Sequence, residues 1–294
     1  MLRQIAKAIR HHPMLERADP LWNALRKPYH LALGFGGYGT KVLVGGRVAV
    51  RIPPDLSVWD LEQWEPEAID ALSKWVKQHP GGVLIDIGSS FGIFSGSAMF
   101  LAPKATVIAI DGDLESVAAT RRFCQYAPAP CRLTAIHGLI TDAALPCSLT
   151  EAIARTEASL LATGARGTSD NLRYRNLNDT SKELPRYKLD DLLVDVIGSR
   201  PTLIKCDVEG AELHVLRGAV CLLRKLHCNL LLSVHPQYGM MERYGHTVHD
   251  VAKFLEDLDY CIEVLAIDWE EHWWCTPRVT SGSSDPGSLA PVHS

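Results

Sequence analysis

Residues 83–111 read VLIDIGSSFGIFSGSAMFLAPKATVIAID, and this stretch decides the fold. VLIDI is a short apolar run rich in β-branched residues, the mark of a buried strand. A glycine-bearing turn follows, then FGIFSGSAMFLA at helical spacing, then a second apolar strand, TVIAI, ending at Asp111. Short apolar strands alternating with helices call for a parallel sheet covered on both faces.

Outward from this unit the rhythm continues. LESVAATRRFCQYA (114–127) reads as a helix and RLTAIHGLI (132–140) as a third strand. TLIKC (202–206) is a fourth, running into one helix over EGAELHVLRGAVCLLRK (209–225). NLLLSV (229–234) is a fifth strand, closing on His235, with helix TVHDVAKFLEDLD (247–259) after it. YCIEVLAID (260–268) and HWWCTPRV (272–279) complete the set as strands. Upstream, KVLVGGRVAVRI (41–52) has a hairpin signal at Gly45-Gly46, after a glycine-rich break at Gly34–Gly39. Residues 60–78 show helical periodicity through Ile69, Leu72, Trp75 and Val76. Between 143 and 186 the rhythm fails, and so long a connection reads as a substrate lid. The expected organisation is a helical and hairpin extension (1–80), a main domain (81–279) and a disordered tail (280–294).

Composition narrows the function. A net charge of −4 over 294 residues supplies no bulk attraction for nucleic acid or anionic lipid, so no nucleic-acid partner is expected. The eight cysteines form no CxxC pair, and several sit in apolar runs as small core hydrophobes, which favours a reducing cytoplasm. No apolar run is long enough to span a bilayer. The N-terminal stretch lacks the features of a signal peptide. Leu2, Ile5, Ala6 and Ile9 make it an amphipathic helix that either packs on the body of the protein or touches a membrane surface. The sequence carries no reading of oligomeric state.

In a doubly wound sheet, ligands sit outside the carboxyl ends of the strands, where strand order reverses. There this chain places Asp86, Gly88, Ser89, Ser90 and Gly92, then Asp111 and Gly112, then Thr141 and Asp142, then Asp207. Ser90 occupies the second glycine position of the dinucleotide fingerprint, where pyrophosphate needs close backbone approach, so a nicotinamide-dependent oxidoreductase is disfavoured. A non-catalytic scaffold would have no use for acids at these positions.

The spacing D-x-G-x-x-x-G over Asp86–Gly92 resembles the nucleoside loop of class I methyltransferases. Lys205-Cys206-Asp207-Val208-Glu209-Gly210-Ala211-Glu212, followed by Val215-Leu216-Arg217-Gly218, resembles the signature of the FkbM methyltransferases. Tyr187–Leu193 is similar to the segment preceding that signature, and Leu232–His235 to the fifth strand, so the resemblance spans residues 60–275. Two departures stand out: Ser89-Ser90 in the loop, and Asp111-Gly112 where the family commonly has Glu-Pro. The resemblance implies a Rossmann-like class I fold with a mostly parallel seven-stranded sheet. It also implies S-adenosyl-L-methionine as cofactor and O-methylation of a sugar, glycan precursor or polyketide-type hydroxyl.

Methylating a hydroxyl requires that its proton leave, and a carboxylate or imidazole in reach can take it. Asp207, Glu209, Glu212 and His235 are the candidates; acids in a helix's first turn also serve as caps, so Glu209 has a plain structural reading too. The same four could instead ligate a divalent cation such as magnesium, with metal-free base catalysis ranked ahead. His246, Glu271, His272 and Trp273 are candidates for binding a sugar acceptor, with Arg166, Arg173 and Arg175 of the insert available for an anionic group.

Overall fold

A computed structural model describes residues 39–169, 172 and 184–278. The expected N-terminal helix, the Gly34–Gly39 break except its last residue, the tail, Arg173 and Arg175 lie outside the described residues.

Strands β1 (Thr40–Val44) and β2 (Val48–Ile52) form the expected antiparallel hairpin, with Val44 opposite Val48. Gly45 and Gly46 turn the chain at φ 54° and 65°, a region that glycine enters without a Cβ penalty. Alternate residues Val42, Val44, Val48, Val50 and Ile52 are buried, so the hairpin packs one face inward. Helix α1 (Pro66–Gln78) begins six residues later than the periodicity predicts. Pro66 explains the delay, because a residue lacking N–H suits the first turn and not a helix interior.

The main sheet follows the predicted rhythm. Strands β3 (Val83–Ile87), β4 (Thr106–Asp111) and β5 (Leu133–His137) run parallel, separated by α2 (Ile93–Leu101) and α3 (Leu114–Cys124). The third strand is shorter than expected. Gly138 ends it, and β6 (Leu139–Ile140) leaves to pair with β7 (Arg186–Tyr187) in a small separate sheet. A Cβ at Gly138 would run into the Tyr187 ring, so only glycine fits this corner.

The 143–186 insert is not irregular throughout. It carries α4 (Leu149–Thr163), opened by a reciprocal Ser148–Glu151 capping box and closed by Gly164 in a left-handed conformation. After β7 come α5 (Leu189–Ile197) and β8 (Thr202–Cys206). The single helix expected over 209–225 is two, α6 (Glu212–Arg217) and α7 (Val220–Leu226). Gly218 sits at the break with the Thr141 carbonyl against it, where a Cβ would stand only 2.6 Å away. Strand β9 (Asn229–Val234), helix α8 (Val248–Glu256) and strands β10 (Tyr260–Ile267) and β11 (Glu271–Pro277) complete the order.

The sheet runs β10-β11-β9-β8-β3-β4-β5, with β11 antiparallel between β10 and β9. Seven strands, mostly parallel, with helices on both faces is the expected architecture. Chain order reverses between β3 and β8, so the carboxyl ends of those strands form the crevice. Two apolar cores cover the two faces, and the hairpin shares one of them with Leu84, Leu203 and Leu231 across residue 80. All eight cysteines are free thiols. No helix among the described residues is long and apolar enough to cross a membrane.

Candidate active site

The loop after β3 lies flat against the end of β8. Gly88 (φ 73°) faces the Asp207 carbonyl so closely that any Cβ would overlap that oxygen. Gly92 (φ 83°) starts α2 with Thr120 Cα only 2.9 Å from where a Cβ would stand. Ser90 holds φ 50° without being glycine, and its N–H donates to Asp111 Oδ2 at 2.7 Å. Asp111 Oδ1 accepts from the Asp113 N–H at 2.8 Å. The acid closing β4 therefore fixes the loop, while each of its oxygens can accept a further bond from a ribose hydroxyl.

Asp86 has a different place from the one expected. It is fully buried beneath the loop, where Oδ2 accepts from the Ser95 N–H and hydroxyl at 3.0 and 2.6 Å. Burial raises its pKa against the pull of Lys205. It pins α2 rather than lining the crevice. Ser89 is buried with its hydroxyl 3.4 Å from that of Thr120, and the Gly112 carbonyl lies 3.2 Å from His137 Nε2. Thr141 and Asp142 follow β6 and are tied to α6, Asp142 Oδ1 lying 3.0 Å from His214 Nδ1. Burial raises the Asp142 pKa, but the contacts with His214 outweigh it and leave the carboxyl lowered.

Beside the loop opens a cleft of about 260 Å³ lined by Trp64, Glu65, Asp207, Glu209, His235, Gln237, Met240, Trp269 and Glu270. Asp207 leaves the end of β8, with Oδ2 accepting from Lys205 Nζ at 2.9 Å. Burial pushes the Asp207 carboxyl up, but Lys205 and His235 overcome it and hold the group ionised. Lys205 is itself buried, its ammonium 4.7 Å from the centre of the Phe94 ring. Burial opposes its charge, yet Asp207, Asp86 and Glu65 raise its pKa.

His235 is the hub of the cluster. Nδ1 donates to Glu212 Oε1 and Nε2 to Glu270 Oε2, both at 2.8 Å, with Asp207 Oδ1 at 3.5 Å and Glu209 Oε2 at 3.9 Å from Nε2. Burial opposes its charge, but bonds to Glu212 and Glu270 and the nearby acids lift its pKa to about 10. It is an imidazolium at neutral pH. Glu212 is buried and also accepts from the Gly210 N–H at 3.0 Å. Because Glu212 meets the opposite ring nitrogen, the three acids and the histidine named for one cation do not converge. Asp207, Glu209 and His235 do, each offering one atom within 4.8 Å of the others.

Glu209 stands at the rim with a side chain 73% exposed and φ 54°. Burial of its carboxyl and the surrounding acids raise its pKa, against the pull of His235. Of the residues expected to bind a sugar, Trp273 is a core residue, its indole N–H donating to Glu271 Oε2 at 2.9 Å. His246 is buried too, 5.7 Å from the His214 ring and outside the cleft lining. His272 is buried behind the cleft. Trp269, 77% exposed in the turn between β10 and β11, stands on the cleft wall.

A family model for the methyltransferase FkbM domain matches residues 86–262, more than half of the chain. The chain belongs to the FkbM methyltransferase family. Among solved structures, a methyltransferase FkbM from Methylobacillus flagellatus KT is 15% identical, with a TM-score of 0.46 over 67% of this chain and 44% of that one. This chain thus spans less than half the length of that FkbM relative. A putative O-methyltransferase from Klebsiella pneumoniae is 12% identical, with a TM-score of 0.43 over 73% of this chain and 81% of that one. An O-methyltransferase from Bacillus cereus, solved in complex with SAH, is 12% identical with a TM-score of 0.40 over 73% and 82%. No curated protein matches the chain. The FkbM span contains the loop, Asp111, Asp207, Glu209, Glu212 and His235, but Trp64, Glu65, Trp269, Glu270 and His272 fall outside it. Those flanking residues wall the cleft from sequence that the FkbM signature does not reach.

Proposed function

We propose that the protein is an S-adenosylmethionine-dependent O-methyltransferase acting on a hydroxyl of a sugar, glycan precursor or polyketide-type product. One observation carries this reading: the Gly88 turn abuts the Asp207 carbonyl, so the cofactor loop and the acid-lined cleft share a wall. The loop fits a nucleoside, since it allows close backbone approach and sets a carboxylate at the end of β4. Gly88, Ser89, Ser90, Gly92, Asp111 and Gly112 would hold the nucleoside, Thr141 and Asp142 would bound it from β6, and Asp207 would face the methionine portion. When bound, S-adenosylmethionine supplies an electrophilic methyl group.

Glu209 is the base in this scheme. It takes the acceptor's hydroxyl proton as the oxygen–methyl bond forms, because it lines the cleft, is exposed to the acceptor and has a carboxyl pKa shifted toward neutrality. His235 cannot take that proton, since both ring nitrogens already donate to carboxylates. It positions Glu270 and Asp207 instead. Trp269 offers a flat apolar face to the C–H surface of a sugar. The free thiols lead us to place the protein in the cytoplasm.

The test is Glu209→Gln, assayed by mass gain of one methyl group across a panel of glycans and hydroxylated natural products. Turnover should fall about 100- to 10,000-fold with S-adenosylmethionine affinity held within about threefold. Unchanged turnover would remove Glu209 from the mechanism.

A further inference from the structure

Behind His235 lies a second cluster that the reaction above does not use. One oxygen each of Glu65 and Glu270 and one ring nitrogen of His272 lie within 4.8 Å of one another. His272 is 1% exposed, and its Nε2 makes no hydrogen bond. That nitrogen points at Glu270 Oε1, 3.7 Å away, and Asp268 Oδ2, 3.5 Å away. The other nitrogen, Nδ1, is 3.4 Å from the Ser233 hydroxyl and 3.9 Å from Glu65 Oε2, so Glu65 stands on that side of the ring. A histidine held through one nitrogen, with the second aimed at carboxylates, is the arrangement that orients an imidazole as a metal ligand. Glu65 adds a buried oxygen, Oε2, that has no hydrogen bond. It sits at φ 36°, in the turn just before α1, where Pro66 fixes the chain direction.

Charge points the same way. Glu65, Asp207, Glu209 and Glu270 all line the one cleft, with Lys205 bonded to Asp207 and His235 to Glu270. Buried carboxylates left without a counter-charge are costly, and a divalent ion offsets two of them.

We propose that Glu65, Glu270 and His272 bind a divalent cation of the magnesium or manganese type at the floor of the cleft. Two carboxylates and one imidazole suit such an ion, with water completing its shell. Glu270 then bridges: one oxygen accepts from the His235 imidazolium and the other meets the ion. Glu65 and Glu270 both line the cleft, so the ion borders the space where the acceptor hydroxyl is expected. The inference rests on the methyltransferase reading only for that last step. Binding of the ion is independent of it.

The test is titration of chelator-stripped full-length protein with manganese, followed by the loss of the free-ion electron paramagnetic resonance signal, with magnesium as competitor. Wild type should bind one ion per chain at this site. Glu65→Gln and His272→Gln should each weaken binding by about tenfold or more, whereas Glu209→Gln should change it by less than about threefold. Circular dichroism checks the fold of each variant, and Glu65→Gln alone decides the matter should the histidine variant fail to fold. Absence of manganese binding in wild type, or unchanged binding in Glu65→Gln, would overturn the proposal. Weakening by Glu209→Gln in place of Glu65→Gln would overturn it also, by moving the ion to the other trio. Calorimetry with S-adenosylmethionine on the same stripped sample keeps the two ideas apart: cofactor heat without manganese binding sinks the cation site alone.

Discussion

His235 and His272 stand on either side of Glu270, in neighbouring strand ends, yet their hydrogen-bond surroundings differ. The first is clamped at both nitrogens by carboxylates 2.8 Å away and is held as a cation. The second is more deeply buried and has Nε2 without a hydrogen bond. His235 belongs to the family span and Glu212 reaches it from the signature itself, whereas His272 and Glu65 come from flanking sequence. Residue type does not set the role of an imidazole here. What decides is whether a carboxylate lies within hydrogen-bond distance of each nitrogen, and only the folded chain settles that.

Several substitutions would break or sharpen this contrast. The largest effect is the loss of about two to four orders of magnitude in turnover already set out for Glu209→Gln, with cofactor binding retained. Next comes Glu212→Ala. It strips His235 of one clamp and leaves a buried imidazolium and the Gly210 N–H without their acceptor, and should cost about 3–5 kcal/mol in urea unfolding. Equal stability to wild type would mean that His235 is not a buried cation. Further from the cleft, Asp55 accepts from both terminal nitrogens of Arg122 and from the Ser169 N–H, tying the part of the insert after α4 to the hairpin side of the fold. Asp55→Asn should cost about 1–2 kcal/mol near neutral pH. Burial raises the Asp55 pKa, but Arg122 and Ser169 more than reverse that and leave it lowered. The stabilisation is therefore complete above the ordinary aspartate value of about 3.9 and is lost as pH falls through the folded-state value. Wild type and Asp55→Asn should converge in stability on acidification, and a gap that persists in acid would contradict that origin. The smallest effect belongs to the second histidine. In chelator, Glu65→Gln should change stability by less than about 1 kcal/mol, because burial has pushed that carboxyl up to about 8 and a glutamine can keep its side-chain hydrogen bond with Trp64. A loss as large as that of Glu212→Ala would erase the distinction.

The strands were legible because each buried one is a short, mostly apolar run, and β3, β4, β8 and β9 lie where their residues place them. The acids at their carboxyl ends followed from that register. Helix α4 went unread, although Ser148-x-x-Glu151 and Gly164 mark both its ends, because the polar composition around it suggested a loop. The break between α6 and α7 had no local signal beyond Gly218, since its cause is the distant Thr141 carbonyl. Glu65 could not be tied to the site from sequence, and Glu270 only as one of the acids beside the His and Trp residues between the last strands. The first sits in a strained turn before α1 and the second in the β10–β11 turn, and each reaches His235 or His272 only through the packing of α1 and β11 against β9.

The account depends on the β3 loop receiving a sulfonium nucleoside. Isothermal titration calorimetry of the full-length protein tests this most directly, with S-adenosylmethionine and NAD titrated in parallel. One S-adenosylmethionine per chain, saturating in the micromolar range and with no heat from NAD, is the predicted result. Clear heat from NAD and none from S-adenosylmethionine would contradict it.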